Sequence, residues 1–287
     1  MKKTIKSILL LIIFGCLISC EQDENSYNIP KKNTITNPYN YVGIGHNEQL
    51  DAFAEYLNGE KYFSLDDIYS FSISKGMHTG NNLSEFKANI SKNLSIAHDF
   101  LFNDTTILDK KINSNIIRSY LTSFGILMRS VVNSESTVTP ETFSLKINEI
   151  ENNILNKLDE DTSRVLEYAV ALSSMAIAKY SYKYWYEAMI IPTHPWHNIV
   201  TNRVNSLHTK EAEPKKGFWR SLLVAAKCVV AAIATVPADV IGAASEANTQ
   251  IIYDELTNTE TRITTLNEDM INAGYESSAG VWEWALE

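Results

Sequence analysis

Val165-Leu166-Glu167-Tyr168-Ala169-Val170-Ala171-Leu172-Ser173-Ser174-Met175-Ala176-Ile177-Ala178 is apolar on nearly every face of a helix, and only Glu167 in it carries a charge. A helix with no polar face is stable only when other elements surround it. The small residues Ala169, Ser173, Ser174 and Ala176 let such neighbours come close. The stretch is therefore read as the buried central helix of a bundle, and the rest of the chain must supply the helices that cover it.

Those helices are legible on its N-terminal side. Leu83, Phe86, Ile90, Leu94, Ala97 and Leu101 recur at steps of three and four, which puts them on one stripe. Ile112, Ile116, Tyr120, Phe124 and Leu127 repeat the pattern, as do Phe143, Ile147, Ile150, Ile154 and Leu158. The last series has a start signal, with Thr139 as N-cap, Pro140 as first helical residue and Glu141 behind it. Shorter helices are expected from His46 to Leu57 and from Leu65 to Lys75. No alternation of apolar and polar residues is long enough to require a strand. The fold class that follows is all-α: an irregular helical bundle over residues 37–190 with a buried central helix, and an Ala-rich C-terminal helical part over 218–287 packed on it. Between them residues 191–217, with Pro192, Pro195, Pro214 and Gly217, read as a long loop, a length that is commonly functional inside a compact domain.

The first nineteen residues carry an address. A basic start, Met1-Lys2-Lys3-Thr4-Ile5-Lys6, precedes an apolar run from Ile8 to Ile18, the layout of an export signal. The acidic, Asn-rich stretch after Cys20 ends the run short of the roughly 20 apolar residues that a spanning helix needs. Leu17-Ile18-Ser19-Cys20 resembles the lipobox of bacterial lipoproteins. That resemblance implies cleavage after Ser19, a diacylglyceryl group on the Cys20 thiol and usually a further acyl chain on the new amino group. Two or three such chains hold a protein firmly to a membrane. Glu21-Gln22-Asp23-Glu24-Asn25 is similar to the acidic signal that sends lipoproteins of Bacteroidota to the outer face of the outer membrane. By composition alone, residues 20–36 read as a lipidated, solvated tether.

Asn37-Pro38-Tyr39-Asn40-Tyr41-Val42-Gly43 with His46-Asn47, together with the Ala-rich segment near the end, resembles a group of exported helical proteins of Bacteroidota. The resemblance implies export and a helical fold and supplies no catalytic residue. Read physically, the same stretch is an N-terminal turn in which Pro38 fixes the chain, Gly43 and Gly45 permit positive φ, and the two tyrosines pack on the bundle.

Composition narrows the partners. Hydrophobic residues at 45%, with 10% aromatics, suffice for a sizeable core. Loss of the signal removes Lys2, Lys3 and Lys6 and no acid, so the net charge moves by three from −9 to −12. Nucleic acid and anionic lipid head groups are poor partners for such a surface. Cys16 leaves with the signal and Cys20 takes lipid, which leaves Cys228 without a disulfide mate and, among Ala and Val, as a buried inert thiol.

Three stretches are candidates for chemistry. His194-Pro195-Trp196-His197 places two imidazoles three residues apart, with His208 and Glu187 nearby, and imidazoles with a third ligand and a water would make a hydrolytic zinc site. Pro195 interrupts a helix there and no zincin pattern is present, so neither metal nor other cofactor is expected. Tyr180, Tyr182, Tyr184, Trp185, Tyr186 and Trp196 concentrate rings able to stack on sugars or anchor a protein. Helical phase sends at least half of them to the core, and Tyr184, Trp185 and Trp196 are the binding candidates. Trp219 to Ala244 reads as a hydrophobic hairpin broken at Pro237, whose uncharged run from Cys228 to Ala238 is about half of what crosses a bilayer. Nucleophile elbow, phosphate loop and dinucleotide fingerprint are all missing. The leading expectation is a lipid-anchored, non-enzymatic binding protein of the cell envelope with a protein or glycan partner. A hydrolase at the histidine stretch comes second, and a membrane-active effector using residues 219–244 third.

Overall fold

In a computed structural model of the chain, residues 36–60, 62–77, 82–102, 105–134, 138–202, 235–253 and 259–284 are described. They form helices α1 (Asn40–Tyr56), α2 (Leu65–Ser74), α3 (Leu83–Phe102), α4 (Asn115–Val132), α5 (Pro140–Glu160), α6 (Val165–Ile190), α7 (Val236–Tyr253) and α8 (Thr259–Trp284), with short 3-10 turns before α4 and α6. No strand occurs among the described residues. The export signal, Cys20, His208, Cys228 and residues 203–234 lie outside them.

α6 is the buried helix that its sequence requires. Every residue from Tyr168 to Ala178 is withdrawn from water, and α1, α4, α5, α7 and α8 all pack on it. The helix runs twelve residues beyond Ala178, because Ser181, Tyr182, Tyr184, Trp185, Ala188 and Met189 continue the buried surface. The amphipathic series face inward as their spacing demands, with Phe86, Ile90, Leu94, Ala97 and Leu101 of α3 and Phe143, Ile147 and Ile154 of α5 in the core. Helix starts are set by side chains that take up otherwise unpaired backbone N–H groups. Ser64 and Asp67 form a capping box before α2, Ser114 accepts from the Ile117 amide, and Thr139 accepts from the Thr142 amide.

The N-terminus departs from its expected form. α1 begins at Asn40, six residues before His46, so Gly43 and Gly45 are helical and do not make a turn. Their φ angles are not positive; among the described residues only Gly59, Gly76 and Asn58 have that geometry. Gly43 serves close approach instead. A Cβ there would lie 2.5 Å from the Ala176 carbonyl oxygen and 2.7 Å from the Tyr180 ring. Ahead of α1, buried Asn37 donates to Glu151 Oε1 (2.7 Å) and to the Leu172 carbonyl (2.9 Å), while its own oxygen accepts from the Tyr39 amide. Glu151 also holds the Lys179 ammonium at 2.9 Å, so one buried charge pair ties the chain start to α5 and α6.

The C-terminal helices differ from a broken hairpin at one point. Pro237 sits in the first turn of α7, where its missing N–H leaves no bond unmade, so it opens that helix. α7 and α8 then pack along each other, with Gly242 so close to Ser277 and Ala273 that a Cβ would collide with both. Among the described residues, no helix is long and apolar enough to cross a membrane.

Candidate functional site

The histidine stretch is fastened to the body of the protein. After α6 ends, a turn over residues 191–196 leads directly into helical backbone from His197 to Asn202, so this part of the expected loop is short. The His194 ring stands edge-on to Tyr184 at 4.5 Å, and Tyr184 donates its hydroxyl to Asp51 at 2.6 Å. Burial pushes the His194 imidazole below its ordinary range, with Asp51 opposing. His197 uses Nδ1 on the Ala188 carbonyl at 2.9 Å. The two rings thus have separate partners, and no three ligating side chains among the described residues form a metal-sized group.

Tyr184, Trp185 and Trp196 are brought together, but inside the protein. Trp185 and Trp196 are 0% exposed, meet edge-to-face at 5.2 Å, and Trp282 adds a third indole 5.4 Å from Trp185. Trp196 donates its indole N–H to the Leu50 carbonyl. The stacking surface expected from these rings is therefore core. Neighbours on all sides of α6 draw in every helical phase, so ring spacing alone could not tell an outward face.

A second cluster was invisible in the sequence. Asp239 of α7 accepts short hydrogen bonds from Ser181 of α6 and Ser278 of α8, and His46 of α1 points Nε2 at the same carboxyl from 3.7 Å. Both ionisable side chains are 0% exposed. His46 spends Nδ1 on Asn47 Oδ1 at 2.9 Å, and Nε2 has no hydrogen-bond partner. Burial raises the Asp239 carboxyl to about 8, with the Ser181 and Ser278 hydroxyls and the Trp185 indole pulling it back down. Burial lowers the His46 imidazole to about 4, opposed by the Asn47 side chain and the nearby Gly274 backbone. Burial thus favours the neutral form of each group, a protonated carboxyl and an uncharged imidazole. Sealed from solvent, the cluster joins α1, α6, α7 and α8. Its one sequence trace is an acid set in the Ala-rich first half of a helix, 193 positions from the histidine that meets it.

An open concavity lies elsewhere among the described residues. Between α4, α5 and the start of α6 a groove of about 460 Å³ is lined by Asn115, Ile116, Ser119, Tyr120 and Ser123 of α4, Asn153 and Lys157 of α5, and Tyr168 of α6. That volume falls in the roughly 300–1,000 Å³ range of small-molecule sites. Ser119 and Ser123 donate to the Ile116 and Ser119 carbonyls, which leaves their lone pairs for a visitor. Lys157 is held by Glu160 at 2.6 Å. Burial and the neighbouring Tyr168 push the Tyr120 hydroxyl up, so it stays a donor at neutral pH. The Tyr120 and Tyr168 hydroxyls and the Asn115 and Asn153 amides have no protein hydrogen-bond partner among the described residues. In the sequence Ile116 and Tyr120 read as part of an apolar stripe and Tyr168 as part of the buried central helix, while Asn115, Ser119, Ser123, Asn153 and Lys157 fall between the apolar positions.

Compared with protein-family models, curated proteins and solved structures, the chain matches none of them.

Proposed function

We propose that this is a lipid-anchored cell-envelope protein whose helical body is a non-enzymatic binding module, with the groove between α4, α5 and α6 as its ligand seat. The observation that carries this reading is a contrast in commitment. His46, Asp239, His194 and His197 are tied to their own chain, whereas the groove is lined by the largely buried phenols of Tyr120 and Tyr168 and by the Asn115 and Asn153 amides, with hydrogen bonds left to make. A binding site needs a concave surface with a few convergent polar groups, and the groove has both. The anchor rests on Leu17-Ile18-Ser19-Cys20.

Two measurements test the reading. Labelled palmitate is expected in the native protein and not in a Cys20→Ser form, which moves from membranes to the soluble fraction; equal labelling overturns the anchor. The isotope-labelled Cys20→Ser chain, titrated with solubilised envelope material, is expected to show shifts concentrated at Tyr120, Asn153 and Tyr168. Shifts confined to other surfaces, or none, overturn the groove as binding site.

A further inference from the structure

The chemistry of the groove lining also states what it should hold. We infer that its ligand is an uncharged saccharide chain, a conclusion that rests on the groove being the binding site. Charge comes first. Lys157 is the one ionic group in the lining, and Glu160 neutralises it at 2.6 Å, so the groove offers no net attraction to an anion. The adjacent N-terminus of α4, which could otherwise favour negative charge, already has the Ser114 hydroxyl on the Ile117 amide. An aliphatic ligand fits no better, because Ile116 is the sole aliphatic side chain lining the site.

Donors and acceptors are mixed in the way sugar hydroxyls require. Each hydroxyl of a sugar both donates and accepts, so a matching wall must do both. The serines of α4 have spent their protons on backbone carbonyls and present lone pairs, the two tyrosines keep theirs to donate, and the Asn115 and Asn153 amides do either. Tyr120 and Tyr168 line the groove while only 9% and 6% exposed, so they offer little open ring face and the hydrogen-bonding groups carry the match. The groove is open at its sides, so it takes a few residues of a longer chain without having to enclose an end.

The test titrates the full chain carrying Cys20→Ser with cellohexaose, maltohexaose and chitohexaose, and in parallel with a hyaluronan hexasaccharide and an uncharged Ser/Asn-rich decapeptide, by calorimetry and by amide shifts. At least one neutral hexasaccharide is expected to saturate, with shifts centred on the groove. Tyr168→Phe and Asn153→Ala, which remove one hydrogen-bonding group each, are expected to weaken it by about fivefold or more. Leu145→Ala, an exposed change elsewhere on α5, should leave binding as it was. Unchanged melting of the groove variants separates lost contact from lost fold. Hyaluronan or the peptide saturating the groove while the neutral sugars do not would overturn the saccharide assignment and leave the binding module standing. The same holds if envelope material shifts the groove and no hexasaccharide does. Silence from both envelope material and every defined ligand overturns the binding reading itself.

Discussion

Asp239 and His46 make stability depend on pH in a way that can be signed in advance. Asp239 ordinarily titrates at 3.8 and is held up to about 8, so between those values the folded chain keeps a proton that the unfolded chain has released. Stability from this group therefore falls as pH rises through that window. His46 runs the other way: its ordinary 6.5 is lowered to about 4, so stability rises with pH between those limits as the unfolded chain lets go of its extra proton. The two oppose each other from about 4 to 6.5, and from 6.5 to 8 Asp239 acts alone. Denaturant titrations are expected to show a decline from pH 6.5 to 8 that Asp239→Asn abolishes; the same slope in that variant would refute the assignment. Glycines give a second test at single positions. Gly43→Ala drives a Cβ into the Ala176 backbone and should cost about 1–3 kcal/mol, as overpacking does. Gly45→Ala meets only the flexible tip of Ile271, at 2.8 Å, and should be nearly neutral because the helix gains about 0.5–1 kcal/mol from losing a glycine. Comparable losses at both sites would show that helix approach is not what Gly43 serves.

How far the helices could be read in advance followed from how local their causes are. α5 was legible down to its first residue because Thr139, Pro140 and the spacing of Phe143, Ile147 and Ile154 act within one helix. α2 and the central α6 were legible for the same reason. α1 was not: Gly43 and Gly45 argue for a turn by local preference, and only the passing backbone of α6, more than a hundred positions away, makes glycine a requirement of helix contact. The groove was hidden likewise, since Ser119 and Asn153 are ordinary flank residues and Tyr168 an ordinary core residue until three helices converge. The segment before α1 offers a check on where the structural unit starts, because Asn37 takes part in three buried or half-buried hydrogen bonds. A chain starting at Asn37 should melt within a few degrees of one starting at Glu21. A chain starting at Tyr39 should lose about 1–3 kcal/mol, the cost of leaving buried groups unpaired. A large loss in the first comparison would mean that residues 21–36 pack on the domain and are no mere tether.

The molecule closes on itself through its ends. α1 lies against α6 and α8, the last described helix, and the His46–Asp239 contact joins positions 193 apart. Gly274 of α8 passes close to the His46 ring, and Tyr275 packs edge-on to Phe53 of α1. Most helical bundles pair neighbours in sequence, and such local contacts let them fold fast. α1, the first described helix, touches its neighbour α2 through Phe53, Tyr56 and Phe71, but its broader contacts are with α6 and α8, so most of its buried face is covered only by helices far along the chain. A bundle closed by contacts so far apart in sequence is expected to fold more slowly than one whose helices pair with their neighbours.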